Sequence, residues 1–316
     1  MSADAGTVGV PRCPASGSVA SEAWADVWDA EYLTTTDHFL QRRCLECGVL
    51  FIDPVPSHRL AEIYPPNYYS FSGRGRPGFV QRVKYAFDRR LFRKMLRLLP
   101  GTQLSVLDVG GGAGSQLDAV RACDARVRYT QVVDFDARAA EVATAKGHAF
   151  FCGRIEDFEP DRTFDLILLL NLIEHVQSPL EVLEKLRSML TPAGIMLVKT
   201  PNYDSLDARL FRHRNWGGYH APRHWVLFTR ESFERLARRA SLRVRSFSYA
   251  QGAPFWSTSI LFMLARWGVI RVTKERPAVF HPLFPLLAAV AAGFDFLRSP
   301  FAKLSQMLIV LQRDDA

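Results

Sequence analysis

Apolar residues follow two alternating patterns along the chain, short uniform runs and longer stretches with helical spacing. The run at 166–170 is apolar throughout, which is typical of a parallel strand covered on both faces of a sheet. Strands are predicted at 105–109, 129–134, 149–152, 164–170, 195–200, 243–249 and 306–311, and helices from Ser115 and at 137–146, 179–190 and 230–240. This alternation predicts an α/β domain built on a mostly parallel sheet.

The same patterns divide the chain into six parts. A polar lead-in at 1–12 is expected to be disordered, and 71–100 reads as a linker followed by a basic amphipathic helix. The other parts are a small N-terminal module at 13–70, an α/β core at 101–250, an apolar helical insertion at 251–305, and a final strand and tail at 306–316.

A glycine-rich turn follows the first strand of the predicted core. Its pattern is Asp-x-Gly-x-Gly-x-Gly, formed by Asp108, Gly110, Gly112 and Gly114. A dinucleotide site would have glycine at the position of Ser115, and the acid ahead of the turn would repel a pyrophosphate. The turn therefore indicates a cationic ligand. A methionine-derived nucleoside fits this description, because its ammonium and sulfonium groups are positively charged.

A second acid ends the next predicted strand. Asp134 lies 26 residues after Asp108, where a carboxylate can accept hydrogen bonds from both ribose hydroxyls of an adenosine. Two acids at successive strand ends indicate such a nucleoside site more specifically than either acid alone.

These motifs, together with those at 164–170, 171–176 and 190–194, resemble the successive motifs of class I S-adenosylmethionine-dependent methyltransferases. The resemblance implies a Rossmann-like, seven-stranded, mostly parallel sheet with helices on both faces, and S-adenosyl-L-methionine as the cofactor. The implied cofactor-binding residues are Asp108, Gly110, Gly112, Gly114, Asp134, Phe135, Ile155 and Leu170. Arg154 stands where such proteins often carry an acid for the adenine, so Glu156 or Asp157 would have to take that role.

Glu174 and His175 follow the fourth predicted strand beside the expected cofactor crevice. In similar quinone-pathway O-methyltransferases a Glu-x-x-Glu-His pattern is associated with a divalent metal, but here the first acid is replaced by Asn171. The two residues are therefore candidates for catalysis, and the alternative is that they cap and pack the turn.

A long loop after the fifth strand carries aromatic residues and histidines, which suits a lid over the methyl acceptor. Its Pro-Arg-His segment resembles the branch of the family found with polysaccharide or glycolipid biosynthesis. His224 is the first candidate for a general base because the ordinary pKa of histidine is near neutrality. The alternative is that His224 only holds the loop in place.

That branch, which includes sugar C-methyltransferases, commonly begins with two Cys-x-x-Cys knuckles that bind zinc. Here Cys44 and Cys47 keep one knuckle, whereas the other has only Cys13, with Ser16 in the second position. A structural zinc on Cys13, Cys44 and Cys47 would need a fourth ligand such as His38. The alternative is a degenerate zinc-ribbon-like module held together by packing.

Charge and composition limit the partners. The net charge of +8 favours anionic partners such as phosphorylated metabolites or acidic lipid surfaces, and no basic-aromatic nucleic-acid module is recognisable. The first 25 residues lack the pattern of a secretory signal, so a cytoplasmic protein is expected.

The apolar insertion allows three interpretations. Residues 253–304 can form buried helices, a homodimer surface, or a segment in peripheral contact with the inner face of a membrane, since cations flank the apolar run. The run at 282–294 is too short and too interrupted by proline to span a bilayer.

The sequence thus predicts methyl transfer to a small-molecule or lipid-linked acceptor, with a sugar-containing one first. An O-methyltransferase of a quinone or another aromatic metabolite is the alternative within the same class. A catalytically silent cofactor-binding or assembly module is the alternative from another class.

Overall fold

The structure of the protein is a computed structural model that describes residues 10–65, 68 and 79–315. Most of the predicted lead-in and the linker at 71–77 lie outside these residues. Two β-sheets and the helices around them account for most of the described chain.

The larger sheet has seven strands and confirms the predicted α/β class. Its strands are β4 (Leu104–Val109), β5 (Val127–Asp134), β6 (Ala149–Cys152), β7 (Phe164–Leu170), β8 (Leu190–Pro201), β10 (Leu242–Ala250) and β11 (Gln306–Arg313). They lie in the order β10-β11-β8-β7-β4-β5-β6. The strands from β8 to β6 run parallel, and β11 pairs antiparallel with both β8 and β10. The strand β8 begins earlier than the predicted residue 195.

The helices of the described chain are α1 (Leu60–Ile63), α2 (Phe79–Leu96), α3 (Ser115–Arg121), α4 (Ala137–Ala145), α5 (Pro179–Ser188), α6 (Leu206–Leu210), α7 (Arg230–Arg239), α8 (Ala253–Arg266) and α9 (Phe284–Arg298).

The strand β7 shows why helices cover both faces of the large sheet. Its Leu166 and Leu168 pack in one apolar cluster with residues of α2 and α3, and Ile167 and Leu169 pack in the other with residues of α5 and α7. Alternate side chains of a strand point to opposite faces, so a uniformly apolar strand needs cover on both.

The smaller sheet joins the N-terminal module to the core. Its strands are β1 (Ser21–Trp28), β2 (His38–Cys44) and β3 (Leu50–Asp53), and β9 (Val226–Leu227) from the core pairs antiparallel with β3. The module therefore depends on the chain beyond residue 70 for its fourth strand.

A buried ion pair fixes this junction. Nη2 of Arg223 lies 2.8 Å from Oδ2 of Asp29, and both side chains are completely buried. The Asp29 carboxylate also accepts hydrogen bonds from the backbone N–H groups of Tyr32 and Thr34. Although burial opposes the ionised form, the charge of Arg223 and these hydrogen bonds hold the pKa of Asp29 below its usual range. Loss of either charged partner would leave the other uncompensated in the interior.

The loop predicted as a lid is part of this interior. Trp216, Tyr219, Arg223 and His224 are all buried. The loop, which runs from β8 of the larger sheet to β9 of the smaller one, is therefore packed in the interior and is not an exposed flap.

The apolar insertion between β10 and β11 forms the helices α8 and α9, as the sequence predicts. They pack against each other at the β10 and β11 edge of the large sheet. Among the described residues, no helix has both the length and the apolar character needed to cross a bilayer.

Candidate active site

The glycine turn lies between β4 and α3 and has a left-handed backbone. The φ angles of Gly110 and Gly114 are 74° and 73°. A Cβ atom on Gly110 would come within 3.0 Å of Cδ1 of Leu172, and one on Gly114 within 2.5 Å of Cδ2 of His148. Both positions therefore need glycine for backbone angle and for space. A Cβ on Gly112 would meet no atom within 4 Å, so this part of the turn faces open space.

Asp108 is a buried carboxyl group beneath this turn. Only 2% of the residue is exposed, and its Oδ2 atom has no hydrogen-bond partner in the described part of the chain. Burial, together with the nearby charge of Asp134, raises its pKa to about 8. An acid in this state is stabilised by the approach of a cation.

Asp134 ends β5 and faces the same turn. Its Oδ2 accepts a hydrogen bond from the N–H of Gly112 at 2.8 Å, and its Oδ1 accepts one from the N–H of Asp136 at 2.9 Å. A carboxylate has about four acceptor positions, so it keeps capacity for further donors such as ribose hydroxyls. Burial raises the pKa of Asp134.

The other predicted cofactor residues lie around the same edge of the sheet. Phe135 is 55% exposed, and its ring lies edge-on to that of Tyr64, with 6.0 Å between centroids. Ile155 is buried in the 3₁₀ turn after β6, and Leu170 ends β7 half-buried. Because β4 pairs with both β5 and β7, the carboxyl ends of these strands form one crevice, the usual ligand position of such sheets. The Arg154 guanidinium is paired with Glu156 at 2.7 Å.

Glu174 and His175 lie in a 3₁₀ turn after β7. The Glu174 side chain is completely buried; its Oε2 accepts a hydrogen bond from Oγ1 of Thr200 at 3.0 Å, and burial raises its pKa to about 8. Nδ1 of His175 lies 3.0 Å from both the hydroxyl of Tyr64 and the carbonyl oxygen of Arg223. Since a carbonyl only accepts, Nδ1 carries the proton. Desolvation and the neighbouring His220 lower the pKa of His175 to about 3, which keeps it neutral.

His224 contacts the same group of rings. Its centroid lies 4.7 Å from that of His175, and its Nδ1 donates to the carbonyl oxygen of Gly218 at 2.8 Å. Burial holds its pKa well below the usual range. His224 is thus a neutral imidazole whose Nδ1 is used to hold the loop.

The structure adds a histidine and a glutamate to the predicted set. Nδ1 of His220 lies 2.5 Å from Oε2 of Glu31, and its Nε2 lies 3.1 Å from the hydroxyl of Tyr68. The carboxylate can only accept, so the Nδ1 proton is donated to Glu31 and Nε2 accepts from Tyr68. All three residues are buried. His220 stands four residues before His224 in the loop, but Glu31 is 189 residues away, so the pairing had no local signal in the sequence.

Glu174 and His175, whose motif resembles a metal-associated pattern, form a cluster of possible metal ligands with His224. Glu174, His175 and His224 each offer one ligand atom, and these atoms lie within 4.8 Å of one another. The Oε1 atom of Glu174 is buried without a hydrogen-bond partner in the described chain. Two imidazoles and a carboxylate with an orphaned oxygen fit a divalent cation, even with asparagine at position 171.

The cysteine knuckles converge on a second donor set. Sγ of Cys13 lies 3.5 Å from Sγ of Cys47, and Oγ of Ser16 lies 3.4 Å from Sγ of Cys44. The hydrogen bond from Cys47 lowers the pKa of Cys13 to about 5 and raises that of Cys47. The suggested ligand His38 is an exposed partner of Asp26, so that expectation is corrected. The hydroxyl of Ser16, and not His38, lies beside the three cysteines.

Comparison with known proteins assigns the chain that forms this crevice to a family. The family model described as a methyltransferase domain matches residues 82–246, more than half of the chain. The chain belongs to this methyltransferase family. The match confirms the predicted class at the level of family and fold, with S-adenosylmethionine as the cofactor of that class.

Curated relatives of the methyltransferase share its core. The ubiquinone biosynthesis O-methyltransferase of Rhodopseudomonas palustris (strain BisB5) is 31% identical over 149 residues, which are 44% of this chain and 52% of that protein. The enzyme of the same name from Bradyrhizobium sp. (strain ORS 278) is 33% identical over 135 residues, covering 40% and 46%. The chain thus spans about half the length of the curated relatives it matches.

A solved structure shows the same fold. Coclaurine N-methyltransferase bound to N-methylheliamine and SAH superimposes with a TM-score of 0.50 over 77% of this methyltransferase and 78% of that chain. The sequence identity is 14%, so the likeness concerns the fold alone.

If Asp134 holds the ribose, Asp134→Ala weakens S-adenosylmethionine binding by roughly 1 to 3 kcal/mol, because the hydroxyls lose a charged acceptor. Isothermal titration calorimetry measures the change. The matched control is Asp161→Ala, which removes an exposed acid paired with Arg162. Equal affinity in the two variants would remove Asp134 from the cofactor site.

Proposed function

We propose that the protein transfers a methyl group from S-adenosylmethionine to a hydroxyl oxygen of a small-molecule acceptor. The observation that carries the proposal is the buried line Glu31, His220 and Tyr68 beside the cofactor crevice. A hydroxyl is a weak nucleophile, and a positioned base that removes its proton is the help it needs.

The cofactor crevice supports the first half of the reaction. When bound, S-adenosylmethionine supplies an electrophilic methyl group on a positively charged sulfur. The fit rests on the orphaned Oδ2 of Asp108, the open space at Gly112 and the spare acceptor capacity of Asp134. Asp108 would ionise to complement positive charge, and Asp134 would orient the ribose.

The aromatic residues connect the two halves of the site. Tyr64 lies against Phe135 on the cofactor side and within hydrogen-bond distance of His175 on the other. Its ring also lies edge-on to that of Tyr68, with 5.1 Å between centroids. An acceptor placed along these rings would meet the hydroxyl of Tyr68.

His220 is the proposed base. The acceptor proton passes through the Tyr68 hydroxyl to Nε2 of His220, while Glu31 accepts from Nδ1 and stabilises the imidazolium that forms. This arrangement of carboxylate, imidazole and hydroxyl is the general form of a positioned base. His224, the first candidate from sequence, would be a positioning residue, because its pKa is low and its Nδ1 holds the loop.

Glu174, His175 and His224 would hold a divalent cation if the protein uses one. Such an ion would supply positive charge near the acceptor oxygen. The proton path through His220 uses none of these three side chains.

Two acceptor classes have specific support. The relatives that match the core are named ubiquinone biosynthesis O-methyltransferases, which favours a phenolic, quinone-related acceptor. The convergence of Cys13, Ser16, Cys44 and Cys47 favours the branch associated with sugar acceptors. We place the phenolic class first because its support comes from the domain that carries the crevice.

The proposal is tested by measuring turnover with two classes of acceptor, polyprenyl phenols and hydroxylated sugars. The product measured is S-adenosylhomocysteine. His220→Gly should lower kcat by about 10²- to 10⁴-fold and leave cofactor affinity unchanged. Glycine suits the left-handed φ of 40° at this position and opens space for added imidazole, which should restore part of the rate.

The matched control is His213→Gly, an exposed histidine of the same loop, which should keep full activity. Full activity of His220→Gly, or a loss that imidazole does not restore, would contradict the role of His220 as base. Cofactor binding without turnover on either acceptor class would favour the catalytically silent module.

We also propose that the N-terminal module binds structural zinc through Cys13, Cys44, Cys47 and Ser16. Tetrahedral zinc with bonds of about 2.3 Å sets its sulfur ligands roughly 3.8 Å apart. The distance of 3.5 Å between the Cys13 and Cys47 sulfur atoms is close to that value.

Metal analysis of the purified protein should find about one zinc per chain, the stoichiometry of a single four-ligand structural site. Cys44→Ala should lose the metal, and Ser16→Cys should hold it more tightly against a chelator because a thiolate replaces a hydroxyl. Zinc-free wild-type protein with four-ligand zinc in Ser16→Cys would show that the natural module is held by packing alone.

A further inference from the structure

The helix α9 has its polar and apolar residues in reversed positions. Asp295 and Arg298 lie on its inner side, buried and paired with each other at 3.1 Å. Leu286, Val290 and Leu297 lie on its outer side and are 63%, 65% and 74% exposed. A helix of a water-soluble surface normally shows the opposite arrangement.

The exposed apolar residues form one continuous surface, here called the outer face of α9. Its large members are Leu283, Leu286, Val290, Phe294, Phe296, Leu297 and Phe301. The chain carries no Asp, Glu, Lys or Arg from 277 to 294, so no charge interrupts this face over the first three turns. Contiguous exposed apolar surface of this kind marks a site of interaction.

A basic segment accompanies this face. The last residue of α8, Arg266, and the connection to α9 together carry four exposed cations and a single acid, Glu275; the other cations are Arg271, Lys274 and Arg276. Ile270 and Val272 of this connection pack in one apolar cluster with Phe284 and Leu287. The cations are therefore held at the beginning of α9.

Charge decides between the possible occupants of this surface. Cations beside an exposed apolar helix match acidic headgroups above acyl chains. A second copy joined by a two-fold axis would bring the same four cations of each chain into one interface. Trp267, which is 63% exposed at the end of α8, adds a residue type that is enriched at the boundary of membrane and water.

From these observations we infer that the outer face of α9 and its basic connection dock on a bilayer of anionic phospholipid. The helix has 15 residues and lies in the plane of the headgroup and acyl boundary without crossing the membrane. The inference rests on this surface and does not depend on the proposed methyl acceptor.

The docking helix is connected through α8 to the loop that carries His220. The helix α8 contacts the loop that carries His220, since Oγ of Ser259 accepts a hydrogen bond from the N–H of Gly217 at 2.8 Å. The ring of Phe255 also lies edge-on to that of Trp216, with 5.7 Å between centroids. These two contacts join the loop to α8, and α8 in turn packs against the docking helix α9.

The test is co-sedimentation of the full chain with phosphatidylcholine vesicles, with and without phosphatidylglycerol. The wild type should bind only the anionic vesicles, and added salt should weaken binding. Arg271→Gln with Arg276→Gln should lower the partition coefficient about fivefold for each cation removed. Leu286→Glu with Val290→Glu should abolish binding.

The matched control is Val142→Glu on α4, an exposed apolar residue at the opposite end of the large sheet. It should bind vesicles as the wild type does. Calorimetry with S-adenosylmethionine should show normal cofactor affinity in every variant, which separates loss of docking from loss of folding.

Equal binding to neutral and anionic vesicles would overturn the inference, as would loss of binding in Val142→Glu. A wild type that ignores vesicles but sediments as a dimer, with Leu286→Glu and Val290→Glu converting it to a monomer, would assign the surface to a second copy instead.

Discussion

The candidate cofactor site depends on one electrostatic constraint, the burial of acidic side chains at two adjacent strand ends. Asp108 is buried with an orphaned oxygen, and the charge of Asp134 adds to the cost of ionising it. A protein that keeps such a group loses stability at neutral pH relative to a neutral isostere. In the proposed function, binding of a positively charged ligand would offset this loss. The glycine turn, the strand order and the open space at Gly112 would leave room for that ligand beside the acids.

The proposed acceptor half of the site depends on a second constraint, the junction of the two sheets. The Arg223 and Asp29 pair holds the loop against the N-terminal module, and the same contact region brings Glu31 to His220. In the proposed function the module would therefore be part of the acceptor site, since it contributes the strand pairing with β9 and the Glu31 carboxylate. A zinc ion bound by Cys13, Ser16, Cys44 and Cys47 would stabilise the module further.

Local signals in the sequence predicted the glycine turn and the two acids that the structure brings to one edge of the large sheet. Asp108 to Gly114 forms a turn whose chemistry can be understood residue by residue, and the uniform apolar run of β7 predicts a strand covered on both faces. Contacts between distant segments could not be predicted in this way. Glu31 and His220, or Ser16 and Cys44, are brought together by the fold, and no spacing rule relates them. Likewise, the apolar character of α9 is visible in the sequence, but only packing shows that its charged residues face inward.

The most direct measurement of the central claim is the proton balance of cofactor binding. With a pKa of about 8, Asp108 is mostly protonated at pH 7 in the protein alone and should ionise beside a bound cation. Titration calorimetry with S-adenosylmethionine, repeated in buffers of different ionisation enthalpy, should therefore report release of about one proton per site. Asp108→Asn should abolish that release. A binding enthalpy that is the same in every buffer for the wild type would contradict the account.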